Sequence, residues 1–171
     1  EPMTQTLQIT KIKDYIPHRF ENLLLDECEL LDSDSCNYSI QLSKNDRLGR
    51  DIFLTKFGSL CIIPTPILTE ITALASIVCS GKLLPGELAY FAAVTKFTSN
   101  GHFFTTKYPI IGKTIKSKAK KDFYKYSFEI NNGPASASAE LMAYYSKSQI
   151  TESTPMEPIE LDAAISAGRS T

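Results

Sequence analysis

The sequence predicts an α+β domain in which one antiparallel sheet wraps around a single long central helix. Three observations lead there. Between Thr65 and Ser80 runs one broad apolar helical stripe, made of Ile67, Leu68, Ile71, Leu74, Ala75 and Val78. Patterns of period two, the mark of half-buried strands, stand on both sides of that stripe. Compact turn clusters, Asp32-Ser33-Asp34-Ser35 and Asn131-Asn132-Gly133, sit where neighbouring strands would be joined.

Taken in order, residues 1–10 are polar and are expected to form a flexible N-terminal segment. A domain over 11–147 and a polar C-terminal tail over 148–171 follow. Ile12, Tyr15 and Ile16 form a short apolar patch that Pro17 ends, as a brief helix or turn would. Leu23-Leu24-Leu25 is read as the start of a first strand running towards Leu31. Tyr38, Ile40 and Leu42 alternate with Ser39, Gln41 and Ser43 and give the second strand, paired with the first. Residues 44–60, with Gly49 and Gly58, are expected to be a long irregular connection of the kind that often carries function.

Thr65 is read as the helix N-cap and Pro66 as the first helical residue, where a missing N–H is tolerated. Glu70 breaks the apolar character of this helix, and Gly81 suits a left-handed cap after its end. Beyond a Pro85-Gly86 turn, strands are expected over 88–97, 110–119 and 123–130, with 103–107 extending the first or pairing with it. Ala135, Ala137, Ala139, Leu141, Ala143 and Tyr145 then occupy every second position, a small-residue face suited to close packing against a helix. One weak helical turn is expected in the tail over 160–167.

The chain of 171 residues is long enough for one domain with a substantial core. A net charge of −1 argues against general nucleic-acid binding, which needs a basic excess. The four cysteines show no CxxC spacing and only two histidines are present, so a zinc site is not expected. Cys61 and Cys79 have apolar neighbours and read as small buried hydrophobes, while Cys28 and Cys36 flank the first turn and are candidates for neighbours. A reduced, cytoplasmic protein is expected. No apolar run approaches the ~20 residues of a membrane helix.

Two segments carry a specific resemblance. Tyr15-Ile16-Pro17-His18-Arg19-Phe20, followed by Leu23-Leu24-Leu25-Asp26, resembles the N-terminal signature of the β-hydroxyacyl-(acyl carrier protein) dehydratases. Pro85-Gly86-Glu87-Leu88-Ala89-Tyr90-Phe91-Ala92 is similar to the segment that follows the central helix in that family. A third stretch, Tyr108-Pro109-Ile110-Ile111-Gly112, is similar to a strand opening of the family. The resemblance implies the hotdog fold, acyl thioesters on acyl carrier protein or coenzyme A as substrates, and no cofactor or metal. It also implies a homodimer, or a heterodimer with another hotdog subunit, paired through the sheets with an acyl tunnel at each interface.

The family's active site combines a His-Phe-Pro-Gly loop with a glutamate six residues after the proline that opens the central helix. Counting from Pro64 puts Glu70 on that glutamate. Counting back puts Lys56-Phe57-Gly58-Ser59 on the loop, so Phe57 matches while Lys56 stands in the histidine's place, and Pro64-Thr65 replaces the Pro-Gly at the helix start.

Removing water from a β-hydroxyacyl thioester needs a base for the α-proton, an acid for the leaving hydroxyl, and donors for the thioester oxygen. A glutamate held in an apolar helix, its carboxyl raised by desolvation, suits acid–base work near neutrality. Glu70 is the expected catalytic group, with Phe57, Gly58, Ser59, Pro64 and Thr65 lining the substrate site. Lysine titrates near ~10.4 and is a poor substitute for imidazole, so Lys56 is expected to be solvated or to pair with Glu70. Gly101-His102-Phe103 looks like the missing motif but lies after the helix, and His102 reads as an exposed hairpin residue. His18 is assigned to packing and hydrogen bonding. Lys113, Lys116, Lys118, Lys120, Lys121 and Lys125 form the one basic cluster, either merely solvated or steering an acidic carrier protein. Beside a dehydratase-like enzyme, two other readings stand: a non-catalytic hotdog subunit that binds an acyl chain or partners an active homologue, and a thioesterase in which Glu70 activates water.

Overall fold

The structure, a computed structural model, describes residues 4–81 and 87–147, without the side chains of Glu87, Lys118 and Lys147. The Pro85-Gly86 turn, the tail and its helical turn over 160–167 lie outside the described residues. Among the described residues, nine strands and two α-helices follow in the order β1 (Gln5–Gln8), α1 (Ile9–Ile12), β2 (Glu27–Leu30), β3 (Ser35–Ile40), β4 (Thr55–Phe57), β5 (Leu60–Ile62), α2 (Thr65–Cys79), β6 (Glu87–Ser99), β7 (Ile110–Lys120), β8 (Phe123–Asn132) and β9 (Ala135–Lys147). Seven strands make one antiparallel sheet in the order β1-β2-β3-β7-β8-β9-β6, and β4 and β5 form a separate hairpin. The long helix lies against that sheet, so the expected architecture holds.

The helix is fastened to the sheet by apolar packing and by hydroxyl groups. Leu68, Ile71, Leu74, Ile77 and Val78 are buried in the common core with Ile40, Ile110, Phe128, Ile130 and Leu141. Each such side chain contributes roughly 1.5–3 kcal/mol by leaving water. Thr72 Oγ1 donates to the Leu68 carbonyl at 3.1 Å, so the Tyr38 hydroxyl, 2.7 Å away, is the donor in the bond between the two side chains. Ser76 Oγ likewise donates to the Thr72 carbonyl at 2.9 Å and accepts from Thr114 Oγ1 at 3.0 Å. Mid-helix Thr and Ser are thus fully satisfied inside the core. Tyr38 reaches Thr72 because its partner across β3 and β7 is Gly112: a Cβ there would lie 2.2 Å from the tyrosine ring. The helix closes as expected, with Gly81 at φ 97° and its N–H on the Val78 carbonyl at 3.1 Å.

A second anchor holds the connection between β3 and the helix. Arg50 is buried and pairs with Asp26 at 2.7 Å and Asp46 at 2.9 Å. Asp46 also accepts the N–H groups of Leu48 and Arg50, both at 3.0 Å, and Asp26 accepts the N–H of Gln41 at 2.8 Å. Burial pushes the Asp46 carboxyl up, but hydrogen bonds and charge from Arg50 outweigh it and hold the group below the usual carboxylate range.

Several expectations are corrected. Residues 5–8 are not frayed: they pair with β2, with Leu7 opposite Cys28 in the core. Leu23, Leu24 and Leu25 are buried but precede the strand, which starts only at Glu27. The stretch 44–60 contains a 3-10 turn at Arg50–Phe53 and strand β4 rather than irregular chain. The helix N-cap is Pro64, not Thr65, and no side chain caps it. Residues 103–107 pair with β5, through a bridge between Ile62 and Thr105, and not with β6. Other expectations hold. The turn after Leu31 closes with the Asp34 N–H on Asp32 Oδ1 at 2.7 Å, and Ala135, Ala137, Ala139, Leu141 and Ala143 all face the core. Cys28, Cys36, Cys61 and Cys79 are buried free thiols.

Candidate functional site

The hairpin β4–β5 pairs Lys56 with Cys61 and Phe57 with Leu60, and Gly58 turns the chain at φ 63°. A left-handed turn of this kind favours glycine. Lys56, Phe57, Gly58 and Ser59 are all exposed at the hairpin tip, Phe57 to 72%. The next residues bind the chain that follows β6. Ile63 donates its N–H to the Phe104 carbonyl at 2.8 Å, and Thr106 donates to the Cys61 carbonyl at 3.0 Å. That pairing brings His102 and Phe103 to the start of α2. There they line a cleft of about 190 Å³ with Pro64, Thr65, Leu68 and Phe97. Sequence order alone hides this contact, because His102 lies 37 positions after Thr65 (102 − 65).

Glu70 stands one turn after Pro66, and both are exposed in the protomer. The expectation that its carboxylate is enclosed by apolar surface is not met within one chain: the buried face of α2 carries Leu68, Ile71 and Thr72, and Glu70 points the other way. Lys56 and Glu70 form no ion pair among those of the described residues.

His18 is half-buried, and its Nδ1 is shielded from solvent and makes no hydrogen bond within the chain. The hydrogen-bonding role expected for His18 is therefore corrected at that atom. Burial lowers its pKa below the ordinary histidine value, Glu70 partly opposes that, and Arg19 adds to it. The loop is locked by Arg19, whose guanidinium donates to the carbonyls of Ile16 at 2.8 Å, His18 at 2.8 Å and Lys13 at 3.0 Å. Phe20 follows at φ 53°, a strained conformation for a bulky residue, and is 70% exposed.

The lysine cluster is partly neutralised. Lys125 bonds Glu140 at 2.9 Å, Lys116 lies 4.0 Å from Asp34, and Lys116 also sits over the Tyr124 ring. Among the described residues no group of three or more His, Cys, Asp or Glu is placed to hold a metal ion. No helix among them is long and apolar enough to cross a membrane.

No family model matches the chain. Over 95 residues it is 36% identical to the 3-hydroxyacyl-[acyl-carrier-protein] dehydratases FabZ of Salmonella arizonae and Salmonella paratyphi B. The match covers 53% of this chain and 61% of each relative, so the chain spans about three fifths of the length of the curated relatives it matches. Among solved structures, the dehydratase heterocomplex ApeI:P of Xenorhabdus doucetiae superposes with a TM-score of 0.66 at 18% identity, over 79% of this chain and 90% of that one. The fluoroacetyl-CoA thioesterase FlK gives 0.52 at 10% identity, over 81% of this chain and 96% of that one. At such identities the likeness establishes the hotdog fold and nothing finer.

Proposed function

We propose that this hotdog-fold chain, similar over part of its length to the 3-hydroxyacyl-[acyl-carrier-protein] dehydratases, dehydrates 3-hydroxyacyl thioesters carried by acyl carrier protein or coenzyme A, in fatty-acid or polyketide-like biosynthesis. The observation that carries this reading is the 36% identity over 95 residues, joined to a carboxylate at the family's glutamate position, six residues after Pro64. Glu70 provides acid–base catalysis, and backbone N–H groups around Gly58, Ser59 and the start of α2 polarise the thioester carbonyl. The bound acyl chain needs apolar walls, and Phe57, Phe97 and Phe103 offer exposed aromatic surface for them.

The site closes when two hotdog subunits pair. Strand β6 is an edge of the sheet and exposes Leu88, Tyr90 and Phe97, a combination that a second strand covers. The expected assembly is a dimer, measured by light scattering at micromolar concentration; a monomeric mass would remove the enclosure that the chemistry needs. A cytoplasmic location fits a protein with four unbonded cysteines.

A second reading rests on Lys56 standing where the family has histidine. The chain then serves as the non-catalytic member of a mixed hotdog pair, binding acyl chain or partner. A panel of 3-hydroxyacyl-ACP and 3-hydroxyacyl-CoA thioesters separates the possibilities. Enoyl thioester is the product expected of the dehydratase, and it should fall by about 100-fold or more in Glu70→Gln. Free thiol marks a thioesterase. No turnover alone, with activity restored or raised by a second hotdog subunit, marks the partner role.

A further inference from the structure

We propose that Asn132 is a positioning residue for the cleft at the start of α2: its side-chain amide takes the place of a strand peptide and joins the small sheet beside that cleft to the seven-stranded sheet. This deepens the dehydratase reading and rests on it for the ligand. Strands β4 and β5 stand apart from the seven-stranded sheet. The segment after β6 adds to them through the bridge between Ile62 and Thr105. The bonds flanking that bridge run from the Ile63 N–H to the Phe104 carbonyl and from the Thr106 N–H to the Cys61 carbonyl. In this register the N–H and C=O of Thr105 itself point away from β5. Both meet one side chain. Asn132 Oδ1 accepts the Thr105 N–H at 2.8 Å, and Asn132 Nδ2 donates to the Thr105 carbonyl at 2.9 Å. A single primary amide thus pairs both groups of Thr105 as the peptide of a neighbouring strand would.

The joint is buried and fully used. Asn132 is 1% exposed, and its second Nδ2 hydrogen goes to the Tyr108 carbonyl at 2.8 Å, with the Pro109 carbonyl beside it at 3.4 Å. Its backbone belongs to β8, opposite Ala135 of β9, so main chain and side chain serve different sheets. These partners lie 23 to 27 positions away, which no local turn requires. Gly133 completes the seat: a Cβ there would lie 2.5 Å from the Tyr108 ring. An amide is the group that fits. A carboxylate could accept from Thr105 but would face the carbonyls of Thr105 and Tyr108, and an aliphatic side chain would leave every one of these groups unpaired.

The segment so held carries one wall of the cleft. His102, Phe103 and Phe104 precede Thr105 and line the cleft with Pro64 and Leu68 of the helix start. The other end of the segment is tied to the same hairpin. Asn100 Nδ2 donates to the Pro134 carbonyl at 2.7 Å, and Asn100 Oδ1 accepts the N–H groups of His102 and Ser136, both at 3.2 Å. Position 132 therefore sets where the apolar wall stands relative to α2, and with it how well an acyl chain fits.

The test uses the full chain. Asn132→Asp keeps the acceptor and loses the donors, and Asn132→Ala loses both. In each, the Thr105 amide is expected to lose about tenfold more protection from hydrogen exchange than the Phe128 amide of the core. The Kd for S-octyl coenzyme A, a thioether that can be neither dehydrated nor hydrolysed, should rise about tenfold. KM for 3-hydroxyoctanoyl-CoA should rise with it while kcat stays within about threefold of wild type. Val78→Ala, at a buried residue of the far end of α2, is the control for lost stability: its melting temperature falls and its Kd stays. An unchanged Kd in Asn132→Asp, or a rise that Val78→Ala matches, overturns the positioning role and leaves the dehydratase reading standing. Failure of both Asn132 variants to fold does the same, because the amide would then support the whole domain and not a joint. A wild-type chain that neither binds S-octyl coenzyme A nor turns over a 3-hydroxyacyl thioester overturns the dehydratase reading and the acyl role of the cleft; selective loss of Thr105 protection would then leave the joint between the sheets standing.

Discussion

The two ends of α2 have opposite characters. From Ile71 to Cys79 every residue is buried, and the hydroxyls of Thr72 and Ser76 are matched by Tyr38 and Thr114 across the sheet. The first turn and a half instead exposes Thr65, Pro66 and Glu70, has no side-chain cap, and stands beside a hairpin with Phe57 in solvent. Charges repeat the contrast. Arg50 is buried between two carboxylates that satisfy it, whereas Glu70 has no ion-pair partner among the described residues. One end of the helix is finished by its own chain. The other stays open within the chain, where the proposed function puts a substrate or a second subunit.

If that contrast is real, substitutions at the finished end act on stability and those at the open end act on function. The largest expected effect is at Arg50: Arg50→Ala leaves Asp46 and Asp26 without their partner, a loss of about 3–5 kcal/mol in urea denaturation. The Asp46 carboxyl is held low when folded, so its contribution is present above the unfolded value, near ~3.9, and is lost as pH falls through the folded one. Stability of the wild-type chain should therefore decline below about pH 4, and that part of the decline should vanish in Arg50→Ala.

Next comes Ile71→Ala, which opens a cavity behind the helix and should cost about 2–5 kcal/mol. Its neighbour in sequence, Glu70→Gln, should change the denaturation midpoint by less than about 0.5 kcal/mol while removing turnover. Comparable stability losses at both positions would erase the distinction drawn between the two ends. Tyr38→Phe is milder. Thr72 keeps its bond to the Leu68 carbonyl, so no buried group is stranded and the expected loss is about 1 kcal/mol. At the hairpin tip Phe57→Ser should stay within about 0.5 kcal/mol of wild type. Its effect belongs in KM for long acyl chains, and an unchanged KM across chain lengths would remove Phe57 from the acyl-binding surface.

Much of the fold was legible in the residues because its signals are local. The broad stripe from Ile67 to Val78 and the alternation from Ala135 to Tyr145 each describe one element meeting one core. Errors fell where pairing is distant. Gln5–Gln8 has little apolar content, yet it becomes a strand because β2 offers it an edge. The segment around Thr105 joins β5 for the same reason, although in sequence it follows β6. Leu23-Leu24-Leu25 looks like a strand because three leucines in a row record burial and not backbone hydrogen bonding.

The candidate site divides along the same line. The family resemblance, with a count along one stretch of chain, marked Glu70 as the expected carboxylate of the helix and Lys56 as the departure from histidine. Which imidazole borders the start of that helix was beyond reach of any pattern. His102 lies 37 positions after Thr65 (102 − 65) and shares a cleft with it only because the segment after β6 pairs with β5. Local chemistry determined the helix, the strands and the types of residue available. Tertiary packing decided which of those residues share a neighbourhood, because distances across the chain are set by the core and not by the order of the letters.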